Sequence, residues 1–209
     1  ISYIEPQFKG LIRYFLKTIE SYVYFNSSHF IFLSDSEINK YTKSFRGLPQ
    51  NYSVIHTGVD QDIYKPRNKS SDEMFRIFVS CRLINRKGIH NFLFSLLHLK
   101  NRENLEVNIA GEGPLKRVLV YYSKKFLKDI NINFLGFVGK KDLSRLYSEA
   151  NLFVLPSSTE GVSLALLEAL SSGCLCIVST LDVPKKLKKH VKFVRYGDRM
   201  GMANSIDEI

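Results

Sequence analysis

The chain lacks tryptophan altogether and holds only three cysteines and six prolines in 209 residues. Cys81, Cys174 and Cys176 are too few for a disulfide framework and suit a reducing cytosol. Cys174 and Cys176 would lie on one face of a strand, as half of a metal site. Neither a His-x-His pair nor a second Cys pair completes it, so both read as small buried apolar residues. No apolar run is long enough to span a bilayer. The longest, Val162 to Val178, is interrupted by Glu168 and by Ser171-Ser172-Gly173, and reads as a buried helix followed by a buried strand. The opening residues show no signal-peptide pattern, and the first residue is Ile, so the chain is expected to begin inside a longer gene product. Repeats and low-complexity tracts are missing too. Disorder, collagen and coiled coil are excluded by an ordinary composition of 44% hydrophobic and 24% charged residues.

Fifteen Phe and eleven Tyr supply ample core material. At about 150 residues per domain, the length suggests one whole domain and part of another. Lys and Arg number 30 against 20 Asp and Glu, a net charge of +10 that favours polyanions. The span Pro114 to Lys128 holds Lys116, Arg117, Lys124, Lys125 and Lys128 with no acidic residue, and Lys185, Lys186, Lys188 and Lys189 form a second cluster. As solvated helix faces these need no partner. The functional alternative is an anionic cytoplasmic membrane surface, where lipid-linked acceptors reside. Nucleic acid ranks third, because no recognition motif accompanies the charge.

Strand-like runs occur at His29–Leu33, Tyr52–His56, Phe75–Ser80, Leu105–Ala110, Ile132–Leu135, Leu152–Leu155, Leu175–Ser179 and Val191–Val194. Helical stripes separate most of them: Ile89, Phe92, Leu93 and Leu96; Leu115, Val118, Leu119, Tyr122 and Phe126; Leu143, Leu146, Tyr147 and Ala150. Alternation of this kind predicts an α/β fold with a doubly wound parallel sheet. Leu152–Leu155 is apolar on both faces and reads as a central strand, whereas Leu105–Ile109 alternates and reads as nearer an edge. The polar stretch Lys65–Glu73 reads as a linker. On this basis residues 1–56 are the tail of an N-terminal Rossmann-like domain, 57–72 join the domains, and 73–209 form the complete one.

In such a fold ligands bind at the carboxyl ends of the strands. Ser80-Cys-Arg82-Leu-Ile-Asn-Arg-Lys87-Gly88 sets cations beside a helix start, a prospective phosphate site. Ala110-Gly-Glu-Gly-Pro114 places Pro at a first helical position but is an incomplete dinucleotide fingerprint; a Rossmann oxidoreductase would rest on Gly111 and Gly113 alone. Gly136-Phe-Val138-Gly139 offers backbone to edge a flat base. In Leu155-Pro-Ser-Ser-Thr-Glu160-Gly161-Val162-Ser163-Leu164-Ala-Leu-Leu-Glu168, Ser157 to Thr159 can cap a helix and Gly161 opens its first amides to an anion. Glu168 sits in an otherwise apolar helix and needs a reason to be there. Eight residues of helix would set the two glutamates ~12 Å apart. Without a ligand, Glu160 would be solvated and Glu168 would pair internally with an Arg.

Together these segments resemble the retaining GT-B glycosyltransferases with an E-x7-E motif (family 4, or group 1, type), mainly their C-terminal donor-binding domain. Glu160 and Glu168 carry that spacing, Ile55-His-Thr-Gly-Val-Asp60 looks like the interdomain Asn-Gly-Val-Asp stretch, Cys81-Arg-Leu…Lys87-Gly88 like the Gly-Arg-Leu…Lys-Gly loop, and Gly111-Glu-Gly-Pro114 like the Gly-x-Gly-Pro turn. The resemblance implies catalytic roles for Arg82 and Lys87 on the diphosphate of a UDP-, GDP- or ADP-sugar and for Glu160 on donor-sugar hydroxyls. It implies donor binding by Glu168 on the ribose, by Gly161, Val162, Ser163 and Leu164 through backbone N–H groups, and by backbone near Val138 on the base. It further implies transfer of a hexose-type sugar with retention to a glycan or lipid-linked acceptor, without a metal, any other cofactor or a nominated protein nucleophile. Cell-surface polysaccharide or lipopolysaccharide synthesis, in the cytoplasm or on the inner membrane face, would be the setting.

Departures accompany the resemblance. Thr57 replaces the usual Asn, Cys81 the usual Gly or Ala, and Leu181-Asp-Val-Pro-Lys-Lys186 lacks the usual Gly-Gly-x-x-Glu. His29, His56, His90, His98 and His190 match no family position and read as solvated or packing residues. A second reading follows from the Ile start and the short first part: a non-catalytic nucleotide-binding remnant, or one component of an assembly that needs a separate acceptor-domain partner.

Overall fold

The computed structural model describes residues 10–45, 49–67, 72–179 and 183–209. Two compact units divide between Thr57 and Gly58. In the first, helix α1 (Leu11–Asn26) and helix α2 (Asp35–Phe45) accompany strands β1 (Phe30–Phe32) and β2 (Tyr52–Val54), which pair in parallel. Its interior is aromatic: Tyr41 packs on Phe30 and Phe32 with ring centroids 5.4 and 5.2 Å apart.

The second unit begins with Gly58–Arg67, where Tyr64 is buried and its backbone N–H donates to the Asp60 carbonyl. Strands β3 (Phe75–Ser80), β4 (Leu105–Ala110), β5 (Asn131–Gly136), β6 (Leu152–Leu155), β7 (Leu175–Val178) and β8 (Lys192–Phe193) follow. They form one six-stranded sheet in the order β5-β4-β3-β6-β7-β8, every pair parallel. This is the strand order 3-2-1-4-5-6 of a doubly wound Rossmann-like domain. Helices α3 (Ile89–Leu96), α4 (Lys116–Phe126), α5 (Lys140–Glu149), α6 (Leu164–Ser171) and α7 (Arg199–Asp207) complete it.

Burial explains the layering. Ile77, Val79, Val107, Ile109, Leu152 and Val154 point to one face and pack against α3, α4 and α7. Phe78, Phe153 and Leu155 point to the other, against Tyr64, Tyr147 and α6. All four residues of β6 are buried, as a double-faced apolar strand requires, and it lies inside the sheet. β4 stands one place from the edge strand β5, and its polar positions are used: Asn133 donates to Glu106 and Asn108 across the ladder at 3.2 and 3.1 Å.

The strand order reverses between β3 and β6, which are neighbours though β4 and β5 intervene in the chain. The carboxyl ends of strands at such a reversal are the usual ligand position in open parallel sheets.

Candidate donor site at the sheet switch point

After β3 the chain dives back into the core at Leu83, which is fully buried, and then forms a 3₁₀ turn at Asn85–Lys87. Main-chain hydrogen bonds tie this loop to its neighbours. Cys81 N–H donates to the Ala110 carbonyl at 3.1 Å, Leu83 N–H to Glu112 at 2.9 Å, and Leu115 N–H to Leu83 at 3.1 Å. Gly111 has φ 133° and approaches the Cys81 carbonyl so closely that a Cβ there would lie 1.9 Å from its oxygen. The glycine turn thus serves loop-to-loop packing. Pro114 does not open α4; the helix starts at Lys116 with Leu115 as N-cap, because residues 113–115 are held to Leu83.

The loop after β6 packs on that 3₁₀ turn. Ser158 N–H donates to the Arg86 carbonyl at 2.8 Å, and the Ser158 hydroxyl reaches the same oxygen at 3.2 Å. Gly88, at φ 67°, would place a Cβ 2.0 Å from the Pro156 carbonyl. No residue with a side chain fits here without moving one of the two loops. Held in this way, Lys87 Nζ lies 2.5 Å from Glu160 Oε1. Glu160 is 7% exposed, so it is a buried, paired carboxylate rather than a solvated one. The Cys81 thiol senses both partners: burial pushes it up to about 12, Lys87 draws it down and Glu160 pushes it up.

Helix α6 begins later than the sequence pattern suggests. Ser163 is its N-cap and accepts from Leu166 N–H at 3.4 Å, while Ser157 is wholly buried ahead of it and Ser158 is engaged with Arg86. The N-cap position falls to Ser163, so Ser157 to Thr159 do not cap the helix. Glu160 therefore lies in the loop, and its separation from Glu168 is not a run of helical rise. Gly161 and Val162 precede the helix, and Ser163 and Leu164 open it, so their amides fall in the region where helix starts leave N–H groups unused.

Glu168 stands on α6, partly exposed, with Tyr64 and Tyr147 beside it and no Arg partner among the described residues. Burial and then the Glu168 charge push the Tyr64 phenol up to about 12 and drive that of Tyr147 well above its ordinary value. Arg82 is exposed at the head of the β3 loop. Val138, after β5, is half-buried against the Tyr147 side of the sheet. All the residues singled out from the sequence thus sit at the carboxyl edge or on α6 beside it, with Lys87 and Glu160 in direct contact. Thr180, Leu181 and Asp182, in the stretch that departs from the family pattern, lie outside the described residues.

Tyr64, Tyr147 and the Ser158–Arg86 link were not found from the sequence. Tyr147 completes an apolar helical stripe and reads as core; its phenol was the one polar signal in that stripe.

The family model described as "Glycosyl transferases group 1" matches residues 60–208. The chain belongs to the group 1 glycosyl transferases. Among curated relatives, a glycosyltransferase of Methanocaldococcus jannaschii is 31% identical over 119 residues, covering 57% of this chain and 30% of that protein. A glycosyltransferase of Bacillus subtilis is 34% identical over 108 residues, 49% of this chain and 29% of its own length. Escherichia coli lipopolysaccharide glucosyltransferase is 22% identical over 161 residues, 70% and 42% respectively. The chain spans about a third of the length of the curated relatives it matches.

Solved GT-B structures share the fold. The Anabaena protein HepE in complex with UDP and glucose superposes with a TM-score of 0.77 at 17% identity, covering 92% of this chain and 56% of that one. Sucrose-phosphate synthase of Thermosynechococcus elongatus gives 0.80 at 19% identity, over 100% and 54%.

Proposed function

We propose that this chain carries the donor half of a glycosyltransferase that moves a hexose-type sugar from a nucleotide sugar to a glycan or lipid-linked acceptor, with retention at the anomeric carbon. The observation that carries the reading is the Lys87–Glu160 contact at the β3/β6 switch point, with Arg82 on the same loop and Glu168 on the helix that follows. That HepE was crystallised with UDP and glucose supports a nucleotide-sugar donor.

The chemistry follows from charge. When the bond between the anomeric carbon and the diphosphate breaks, negative charge grows on the leaving oxygen. Arg82 and Lys87 meet that charge, and cations fixed before the reaction stabilise it without reorganising. An ammonium has three donors, so Lys87 can keep Glu160 and still reach a phosphate oxygen. Glu160 accepts from the hydroxyls of the donor sugar, and Glu168 accepts from the ribose. The amides of Gly161, Val162, Ser163 and Leu164 face sugar and phosphate at the positive end of α6. Backbone at Val138 reads the base. With two cations on the diphosphate, neither a metal nor another cofactor is required.

The acceptor class fits the charge of the chain. On α4, Val118 and Tyr121 are each 64% exposed and Phe126 is 48% exposed, interspersed with Arg117, Lys124 and Lys125. Such a face suits the anionic inner surface of a membrane, where lipid-linked acceptors for polysaccharide or lipopolysaccharide synthesis are met. No helix among the described residues is long and apolar enough to cross a membrane.

Titration of UDP, GDP and ADP against the purified chain tests the donor site. Saturable binding of one of them, lost in Arg82→Ala and Glu168→Ala, supports it; no binding by any, or unchanged binding in both variants, refutes it. A panel of nucleotide sugars assayed with the chain in its full-length context, with the product anomer read by NMR, tests transfer and retention.

A further inference from the structure

Resting on the reading of Lys87 as a diphosphate ligand, we propose that Tyr196 is a positioning residue whose ring holds the 3₁₀ turn Asn85–Lys87 and thereby keeps the Lys87 ammonium in place for the diphosphate. Tyr196 belongs to neither loop of the switch point. It stands in the turn after β8, with β6 and β7 between that strand and β3. From there it reaches the β3 loop: a Cβ on Gly88 would lie 2.9 Å from Tyr196 Cε2, and the Tyr196 hydroxyl comes within 3.5 Å of the Asn85 carbonyl. Asn85 opens the 3₁₀ turn, and Gly88 closes it by donating its N–H to that same carbonyl at 3.0 Å. One side chain therefore spans both ends of the turn that carries Lys87.

A turn of this kind needs support from outside. It is three residues long, none of them buried, and 3₁₀ hydrogen bonds have poorer geometry than those of an α-helix. The β6 loop supplies one hold, through Ser158 on the Arg86 carbonyl and Pro156 against Gly88. Tyr196 supplies another, and it is itself well anchored. Val194 N–H donates to the Val178 carbonyl of β7 at 2.9 Å, and Asp198 N–H donates to the Arg195 carbonyl at 3.0 Å. The Asp198 side chain caps α7, accepting from Gly201 N–H at 2.8 Å. The next residue, Arg199, lies over the Phe94 ring of α3 at 4.2 Å. The chain on either side of Tyr196 is thus pinned, to β7 before it and to α3 after it.

Core packing does not account for the ring. Tyr196 belongs to neither apolar core and is 36% exposed, so its removal opens no core cavity. A contact of 3.5 Å is long for a hydroxyl donating to a carbonyl, so the ring and not the hydroxyl carries the hold. Lysine has a flexible four-carbon stem, and a cation stabilises developing charge best when it is fixed beforehand. Lys87 is fixed at both ends: its ammonium by Glu160, its backbone by the turn under Tyr196.

Calorimetric titration of the 209-residue chain with UDP, GDP and ADP, and with the matching monophosphates, tests the hold. The diphosphate that binds best is expected to outbind its monophosphate by about tenfold or more. In Tyr196→Ala the ratio should fall to about threefold or less, with affinity for the monophosphate unchanged, while Tyr196→Phe keeps the wild-type ratio. Amide exchange at Lys87 and Gly88 should quicken in the alanine variant alone. A wild-type ratio in Tyr196→Ala, with the ratio lost in Lys87→Gln, overturns the role of Tyr196 and leaves the Lys87 reading standing. A ratio that Lys87→Gln does not move, or no binding of any diphosphate, overturns both. Equal losses for diphosphate and monophosphate mark a purely structural role and overturn the proposal, as does a phenylalanine variant that behaves like the alanine one. Should Tyr196→Ala not fold, Tyr196→Leu is expected to lower the ratio, and an unchanged ratio there is decisive against the proposal.

Discussion

Lys87 Nζ and Glu160 Oε1, 73 positions apart in the chain, meet at 2.5 Å because two loops from neighbouring strands are bolted together through Arg86 and Ser158. Each side chain is largely shielded, at 15% and 9% exposure. Removing one partner strands the other.

Lys87→Ala should therefore lower stability by about 3 kcal/mol, because Glu160 is left buried and unpaired. Lys87→Met with Glu160→Leu should recover most of that loss and yet bind no nucleotide sugar. Urea denaturation of the two variants separates the structural from the ligand-binding share of the pair.

Close approach makes Gly88 the least replaceable position in the site. Gly88→Ala combines φ 67° with a Cβ 2.0 Å from the Pro156 carbonyl, and it should cost several times more than the ~1 kcal/mol typical of a single substitution. At Gly139 φ is −71° and a Cβ would meet nothing within 4 Å, so Gly139→Ala should stay within about 0.5 kcal/mol of the parent. Thermal unfolding of the two variants reads the contrast.

Alkaline pH should destabilise the second unit. Cys81 and Tyr64 are both raised to about 12 by burial first, from ordinary values of 9.0 and 10.0. The unfolded chain thus loses these protons first, and above pH ~9 the folded state binds more of them, so stability falls with rising pH. It is fully present below pH ~9 and is lost progressively as pH climbs toward 12. Urea midpoints at a series of pH values check the slope, and Tyr64→Phe should flatten its upper part. The same protonation predicts that Cys81 alkylates slowly in the folded protein and readily once unfolded.

Ser163→Ala removes the N-cap of α6 and should cost about 1 kcal/mol, whereas Ser163→Gly should cost only a few tenths. Nucleotide affinity should fall more in the alanine variant, since fraying disorders the amides at 163 and 164. Denaturation and calorimetry on the pair measure both effects.

Reversing two charges on α4, Lys124→Glu with Lys125→Glu, should weaken binding to phosphatidylglycerol vesicles by about tenfold or more while leaving nucleotide affinity unchanged. Raised salt should weaken the parent in the same way. Vesicle flotation reads both.

Much of the sheet was legible because its strands obey simple patterning. Leu152–Leu155, apolar on both faces, could only be an inner strand, and the alternation of Leu105–Ile109 pointed to a place nearer an edge, where β4 stands next to the edge strand β5. The chemistry-bearing loops were legible as residue types at known spacings. Their conformation was not. Ser157 to Thr159 look like caps until Arg86 claims Ser158, and that contact depends on the pairing of β3 with β6. Tyr147 escaped because an aromatic in a helical stripe reads as core, and Tyr64 because it stands in the segment before β3, outside any periodic pattern, and is buried only once the sheet forms.

The loops around the switch point are joined chiefly by peptide groups: Cys81 to Ala110, Leu83 to Glu112 and Leu115, Ser158 to Arg86. Bonds of that kind survive nearly any exchange of side chains. A cysteine can stand at 81 where smaller residues are usual, because its carbonyl, not its sulfur, meets Gly111. Such a frame lets selection retune what the loops present, one residue at a time, without renegotiating how they are held. Diversity of sugar and base within a single architecture is what such a division of labour permits.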